Sequence, residues 1–447
     1  MSILKSIIEE ALLYSNDSSS SRNIDIRRGI ISFQYYEDIF SPTITAKMKV
    51  INAGGAILPK DGKSSDKQSI YNGLPLRGGE RLSLKIAGNN QTNPGLDFSL
   101  NKEDYLYVSS ITDVISNTEK ESFTLSFVSK EAIVNEVTRV KKRYGGNILD
   151  SVDLILKNVL KTNKYDKSKF DKVSNSYEFI GNTRKPFLVL TWLASKCVPT
   201  IANETAGFLF YQTRDGFQFK SIDNLAKKKA KATYIYSEAT ISYDENDKKI
   251  NNDFKILNYI IDRNQNLNEK LRLGTYATTR YFYNPLYSSF TKEEYNIVKY
   301  KDNVKNLGSE LSLPVIDGLD KPIGQSPSRI VSSVFDVGAV SGPKISRDIN
   351  ADQKKYISQS LMRYNTLFTQ SLSVAVPSNT NLRAGDVIEC LFPKISNSKV
   401  KEFDKETSGL YMIKELCHHF DLDGSYTYMK LVRDTFGINR EERDNND

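Results

Sequence analysis

The residues best able to do chemistry in this 447-residue chain lie together near its end. The only two histidines, His418 and His419, directly follow Cys417. Imidazole is the commonest general base near neutral pH and, with thiolate, a preferred transition-metal ligand. These three donors sit on a stretch, Gly409 to Phe420, whose pattern predicts a strand. Neighbours on a strand point to opposite faces, so three in a row cannot converge on one ion. The trio therefore reads as packing. Next comes Asp421-Leu422-Asp423-Gly424, which has the start of a calcium loop but lacks its remaining oxygen ligands and closing Glu. It reads as a hairpin turn. No phosphate-binding glycine loop, zinc-protease helix or serine-nucleophile elbow is present. Among 54 acidic residues no spacing singles out a pair. The expectation is no catalytic residue, no metal site and no cofactor.

The elements that hold these residues are mostly strands. In Thr43 to Ile51, Ile44, Ala46, Met48 and Val50 alternate with polar neighbours, which buries one face of a sheet. Leu82, Leu84 and Ile86 repeat the pattern. Tyr105 to Ser116 and Ser122 to Ser129 flank a polar turn, with Phe123, Leu125 and Phe127 on one face. The period then changes. Asn147 is a good N-cap ahead of Ile148, Val152, Ile155 and Leu156, and Pro186 opens a second helix. Arg214-Asp215-Gly216 turns a hairpin. Strands return after about residue 250, and four close the chain between 371 and 433.

These patterns predict a mainly β chain with an α+β insertion. Residues 1–23 read as an amphipathic helix and linker, since Ile3, Leu4, Ile7, Ile8, Ala11 and Leu12 recur at helical spacing before the Ser-rich run. Residues 24–136 read as a first β domain and 137–232 as a mixed α/β middle domain. Residues 233–437 read as a second β domain, which includes a long loop at 302–350 and a helix at 350–366. Residues 438–447 form a charged tail. The loop is rich in Gly, Pro and Ser and cannot supply its own core, so it reads as an assembly arm. Val331, Val334, Phe335 and Val337 are its available interface anchors.

Charge and composition exclude several classes. A net charge of +8 is spread over 62 basic and 54 acidic residues, too diffuse for a dedicated nucleic-acid reader. Three scattered cysteines make no disulfide framework and indicate folding in a reducing compartment. No stretch reaches the length of a membrane span. Tyrosine is abundant, with 25 copies, and it suits both strands and protein interfaces.

Four segments, in order, resemble one family. YYEDIFSPTITAKMKVINAGG (35–55) resembles the opening of the tube-type β domain in phage tail hub proteins. GFLFYQTRDGFQFKSIDNL (207–225) resembles the hairpin closing the middle part of baseplate hub subunits. LRAGDVIECLFP (382–393) resembles their Gly-Asp-then-strand element. GLYMIKELCHHFDLDGSYTYMKLVRDTFG (409–437) resembles the final hairpin shared with the hub part of VgrG spikes. The resemblance implies a baseplate hub subunit of a contractile-tailed, large-myophage type of virus, with two tube-type antiparallel β-barrel domains. It implies a homotrimeric ring that joins the sixfold tail tube to the threefold central spike. The partners would be the spike protein, tail tube subunits and other baseplate proteins. DNA would pass non-specifically through the lumen, and no membrane would be involved. The implied location is the virion baseplate, assembled in the host cytoplasm. The competing readings are a tail-borne cell-wall hydrolase and a receptor-binding tail protein. The stretch 302–350 is longer than the family core.

Overall fold

A computed structural model describes residues 3–16, 23–53, 70, 74, 76–90, 92–99, 105–117, 120–201, 205–237, 251–262, 266–299, 304–309, 313–338, 350, 353–394 and 403–437. Most of the Ser-rich linker, part of the 302–350 arm and the charged tail fall outside these residues.

The first unit is an antiparallel sheet. Its strands are β1 (Ile8–Tyr14), β2 (Asn23–Asp25), β3 (Ile30–Asp38), β4 (Thr45–Ala53), β5 (Arg81–Ala87), β6 (Gly95–Phe98), β7 (Leu106–Ser116) and β8 (Lys120–Val128). They lie in the order β3-β4-β8-β7-β5-β1-β2, with β6 beside β5. Alternation does the work predicted for it: Phe33, Tyr35, Ala46, Met48, Val50, Phe123, Leu125 and Phe127 enter one core.

The expected N-terminal helix is a strand instead. Residues Ile8–Tyr14 pair with β5 and β2, placing Leu13 opposite Leu82 and Ala11 opposite Leu84. The segment carries both periodicities, and Ala11 and Leu13 are fully buried by the strand solution. A short helix is marginal alone, whereas the edge of β5 satisfies the backbone and buries two apolar residues at once.

The middle unit contains α1 (Lys130–Val137), β9 (Arg143–Tyr144), α2 (Ile148–Leu154, running into a π turn at Ile155–Val159), β10 (Phe179–Ile180), α3 (Pro186–Ala194), β11 (Phe208–Thr213), β12 (Gly216–Ser221) and α4 (Ile222–Ala226). Asn147 accepts from the Leu149 amide and caps α2, and Pro186 sits at the start of α3. Gly216 turns the β11–β12 hairpin at φ 105°, and a Cβ there would lie 2.4 Å from the Lys164 carbonyl oxygen. No other residue fits that turn.

The last unit begins with β13 (Thr233–Tyr236), β14 (Lys255–Ile256) and β15 (Asn258–Asp262). An insertion follows: α5 (Leu267–Leu273), β16 (Ala277–Asn284), β17 (Ser289–Asn296), β18 (Arg329–Val334) and α6 (Gln353–Thr366). β19 (Gln370–Pro377), β20 (Val387–Leu391), β21 (Gly409–Asp421) and β22 (Ser425–Arg433) complete it. The β strands run in the order β13-β20-β21-β22-β19-β15. β14 pairs with β13, and the Leu257 amide donates to Ala375, so the chain passes from one edge to the other and closes a barrel.

Ranked by chain order, the six main strands of each unit fall in the same spatial order, 1-4-5-6-3-2, as the strand lists above show. β1-β5-β7-β8-β4-β3 corresponds to β13-β20-β21-β22-β19-β15. The difference is the first strand, antiparallel to its neighbour in one unit and parallel in the other. The units are also continuous. The first part of β21 pairs with β20, its second part pairs with β3 from Glu415↔Asp38 to Asp421↔Ser32, and a register shift separates the two. Phe420 of β21 enters the core of the first unit.

Helix α6 ties the remaining parts together. Tyr356 joins the middle core, Met362 the insertion core, and Leu367 a core shared with β20, β21 and β22. Arg363 is buried, with Nε 2.8 Å from Asp223 and Nη1 2.5 Å from Asp434, and it donates to the Lys305 carbonyl at 2.6 Å. Three segments far apart in sequence meet on one guanidinium. Arg363→Ala is expected to lower the unfolding free energy by about 3–5 kcal/mol, because two buried carboxylates lose their counter-charge. Urea unfolding followed by circular dichroism measures this, and a loss below about 1 kcal/mol would show that the triad contributes little.

Candidate assembly interface

The candidate chemistry resolves into packing and surface. His418 points inward, its ring stacked 6.2 Å from Tyr35 and its Nδ1 3.2 Å from the Thr427 hydroxyl. His419 points outward, its Nε2 2.8 Å from Asp421 and its Nδ1 3.0 Å from Gln34. The rings lie on opposite faces of the sheet and cannot share an ion. Cys417 is on the face of His419, and burial pushes its thiol up to about 12, so it stays protonated at neutral pH. Asp421 accepts from the amides of Asp423 and Gly424, which makes 421–424 a tight turn. Among the described residues no helix is long and apolar enough to cross a membrane.

The contact of the two β units is locked by a buried carboxylate that the sequence patterns do not mark. Glu37, on β3, accepts from the Tyr35 hydroxyl at 2.9 Å, the Arg214 amide at 2.7 Å and the Ala384 amide at 2.9 Å. One side chain thus binds the first unit, the middle hairpin and the last unit. Burial pushes its carboxyl above the usual range, against the pull of Arg383 and these donors. Arg383 in turn grips Asp215 at 3.0 Å and the carbonyls of Thr380 and Leu382. Arg214 reaches the Gly95 carbonyl at 3.0 Å.

The joined sheets present one broad outer face. Register carries a row from Lys430 through Glu415 to Asp38, and another from His419 through Gln34 and Lys47 to Ser126. A third runs from Asp421 through Ser32 and Lys49 to Thr124. These three rows are polar and mixed in charge across both units, and the row between the first two, Tyr428–Cys417–Tyr36, lines an apolar pocket with Ile260.

Two strand edges next to that face have no strand partner among the described residues. β7 pairs with β5 at Leu106 and Tyr107, and Val108 exchanges backbone bonds with Gly79 and Glu80; from Ser109 to Ser116 that edge has no strand partner among the described residues. Ile115 there is 70% exposed. β15 pairs with β19 on one side and is open on the other, where Ile260 is 67% exposed. The anchors predicted in the 302–350 arm fall elsewhere. Val331 and Val334 are on β18, the edge strand of the sheet β17-β16-β18, and Phe335 and Val337 follow it. Val334 is exposed beside Ile330, whereas Val331, Phe335 and Val337 are half-buried, and Phe335 rests edge-on against Phe282. Part of the arm is thus a strand, parallel to β16. Its alternation is short and sits among Gly, Pro and Ser.

His418 provides a pH test of the joint. Burial, then Arg383 and Arg214, lower its pKa from 6.5 to about 3. The folded ring stays neutral where the unfolded one takes a proton. Its stability contribution is therefore complete above pH 6.5 and is lost as pH falls from 6.5 toward 3. In His418→Asn the slope of unfolding free energy against pH over that window should flatten by up to about 1.4 kcal/mol per pH unit. Equal slopes in both proteins would contradict a neutral, buried His418.

No protein-family model matches the chain. A probable baseplate hub protein, gp334, of Vibrio phage KVP40 is 20% identical over 291 residues, 64% of this chain and 66% of that relative. The match thus spans just under two thirds of the relative's own length. The 43 kDa tail protein of prophage MuSo2 from Shewanella oneidensis shares the fold, with TM-score 0.50, 8% identity, and coverage of 95% of this chain and 98% of that one. A tail protein from Neisseria meningitidis MC58 gives TM-score 0.50 at 10% identity, covering 95% and 96%. The chain is a mainly β protein with the fold of phage tail proteins, and part of its sequence is similar to a probable phage baseplate hub protein.

Proposed function

We propose that this chain is the central hub subunit of a contractile-tail baseplate, where three copies form a ring between the tail tube and the central spike. The observation that carries the reading is the repeated strand order combined with the two open edges. Counting by chain order, the second main strand of the first unit, β3, pairs with the fifth of the second unit, β21, and both β3 and β15 lie at the end of their sheets. The same contact one step further would pair β15, second in the second unit, with β7, fifth in the first unit of a neighbouring copy. Those are the two open edges. β21 leaves β20 partway along and takes β3, and β7 leaves β5 early, its edge from Ser109 onward having no strand partner among the described residues. A head-to-tail contact of this kind closes into a ring when its rotation permits, and three two-unit chains make six β units. An open strand edge also needs covering to prevent uncontrolled association.

In this reading the polar face of the joined sheets lines the ring, and its Ser, Thr, Gln and alternating charges let DNA pass without gripping it. The six-unit side meets the tail tube, and the threefold side meets the spike. The 302–350 arm, through Ile330 and Val334 on β18, reaches a neighbouring baseplate protein. We read the role as structural and not enzymatic: His419 is tied to Gln34 and Asp421, and burial keeps the neighbouring Cys417 thiol protonated.

Ile260→Lys and Ile115→Lys each place a charge on one open edge, at a side chain that is exposed in the single chain. Each should weaken the trimer about tenfold or more, by light scattering of the hub with its spike, and leave the melting temperature of the free subunit unchanged. A trimer untouched by both changes would contradict the edge pairing.

A further inference from the structure

A second surface, on the middle unit and away from both open edges, is built for a partner. Between β10 and α3 lies a cleft of about 260 Å³, lined by Phe179, Ile180, Leu188, Val189 and Trp192. Leu188 and Trp192 are one helical turn apart on α3, yet they face outward, 52% and 38% exposed. Trp192 is the only tryptophan of the chain. Its ring is held edge-on against Tyr177 at 5.3 Å and Phe179 at 5.4 Å, so it is a fixed anchor and not a mobile one. A rigid, half-exposed aromatic beside an apolar cleft is the usual centre of a binding hot spot.

The lip of the cleft is strained. Asn182 and Thr183 both have positive φ, 46° and 55°. A β-branched residue rarely adopts that conformation, and strain of this kind gathers at functional sites. The turn is pinned because Gly181 abuts Val140, where a Cβ would come within 2.4 Å of the carbonyl oxygen. Its amide donates to the Lys142 carbonyl, and the Val140 amide to that of Arg184. These bonds bring the basic run 139–143 alongside the cleft.

The rim carries a positive excess, although Asp336, bonded to the Tyr177 hydroxyl, faces Lys196. Residues 136–143 and 178–196 hold seven cations and two acids. The two acids are already engaged, Glu136 with Lys185 and Glu178 with Arg143. Arg139, Lys141, Lys142 and Arg184 are all exposed. Lys196 lies over the Trp192 and Tyr356 rings, 5.7 Å and 5.0 Å from their centres. An apolar slot with a cationic rim fits an acidic segment that carries bulky apolar side chains. A basic segment would meet like charge, and a bare polyanion would leave the apolar slot unfilled.

We propose that this cleft docks an acidic, amphipathic peptide segment of another tail protein, its apolar side chain entering between Ile180, Leu188 and Trp192 and its carboxylates facing the 139–143 run and Arg184. The single tryptophan reports binding directly in the full chain. The probe is a short synthetic peptide with a central Leu-Phe pair flanked by Asp and Glu. It should give a saturable blue shift of the emission, weakened about tenfold or more by Leu188→Ser, by the pair Lys141→Glu and Lys142→Glu, and by high salt. Unchanged melting temperatures would show that these exposed substitutions leave the fold intact. The proposal is overturned if that peptide gives no saturable shift, or if a Lys-flanked version binds equally well. It is also overturned if the shift follows protein concentration alone, as a second copy would produce, or if a single-stranded oligonucleotide or anionic vesicles bind more tightly than the peptide.

Discussion

One backbone pairing organises the molecule: strand β21 changes partner partway along its length. Its first residues bond to β20 inside its own barrel, and after a register shift its later residues bond to β3, nearly four hundred residues away. Backbone amides and carbonyls must be satisfied when buried, so the switch cannot be left half made. It fixes the register of the two units against each other to a single residue, because a slip of one would turn every side chain to the wrong face. Phe420 then lies in the first core and His418 beneath Tyr35, while Cys417 and His419 reach the common outer face.

Side-chain charge adds what the sheet alone cannot. The middle unit hangs on two buried ionic groups. Glu37 receives amides from the β11–β12 hairpin and from the segment before β20, and Arg363 receives carboxylates from α4 and the end of β22. Buried charges of this kind contribute little net stability against an apolar replacement, but removing one partner is costly. They specify geometry. Each demands that three distant segments arrive together, which fixes the angles between the units. The helix carrying Arg363 is correspondingly buried on most sides despite its polar sequence.

Much of this was legible in the sequence where local periodicity and burial agree. The alternation of Ile44 to Val50 and Phe123 to Phe127, the Asn147 cap and the Asp-Gly turn each have a local cause, and the structure shows each element. The N-terminal segment reads as a helix because Ile7, Ile8, Ala11 and Leu12 recur at helical spacing, while Ala11 and Leu13 also alternate as on a strand, and only the distant edge of β5 decides between them. Within its Gly- and Pro-rich surroundings, Val331 to Val340 hints at order, and the strand itself lies at Arg329–Val334. The pairing of β3 with β21 has no local signal at all, and neither do Glu37 and Arg363, ordinary charged residues until three segments converge on them. The four family-like segments supplied the architecture that periodicity could not.

In the proposed ring, the joint inside one chain is the template for the joint between chains, because both units share one strand order. Hydrogen–deuterium exchange on the free subunit and on the assembled hub tests this most directly. Amides of 32–38 and 415–421 should be protected in both states, since that pairing is internal. The outward-facing amides of 258–262 and 109–116, those not bonded to β19 or β8, should exchange quickly in the free subunit and become protected on assembly. Equal, fast exchange of those outward-facing amides in both states would contradict the account.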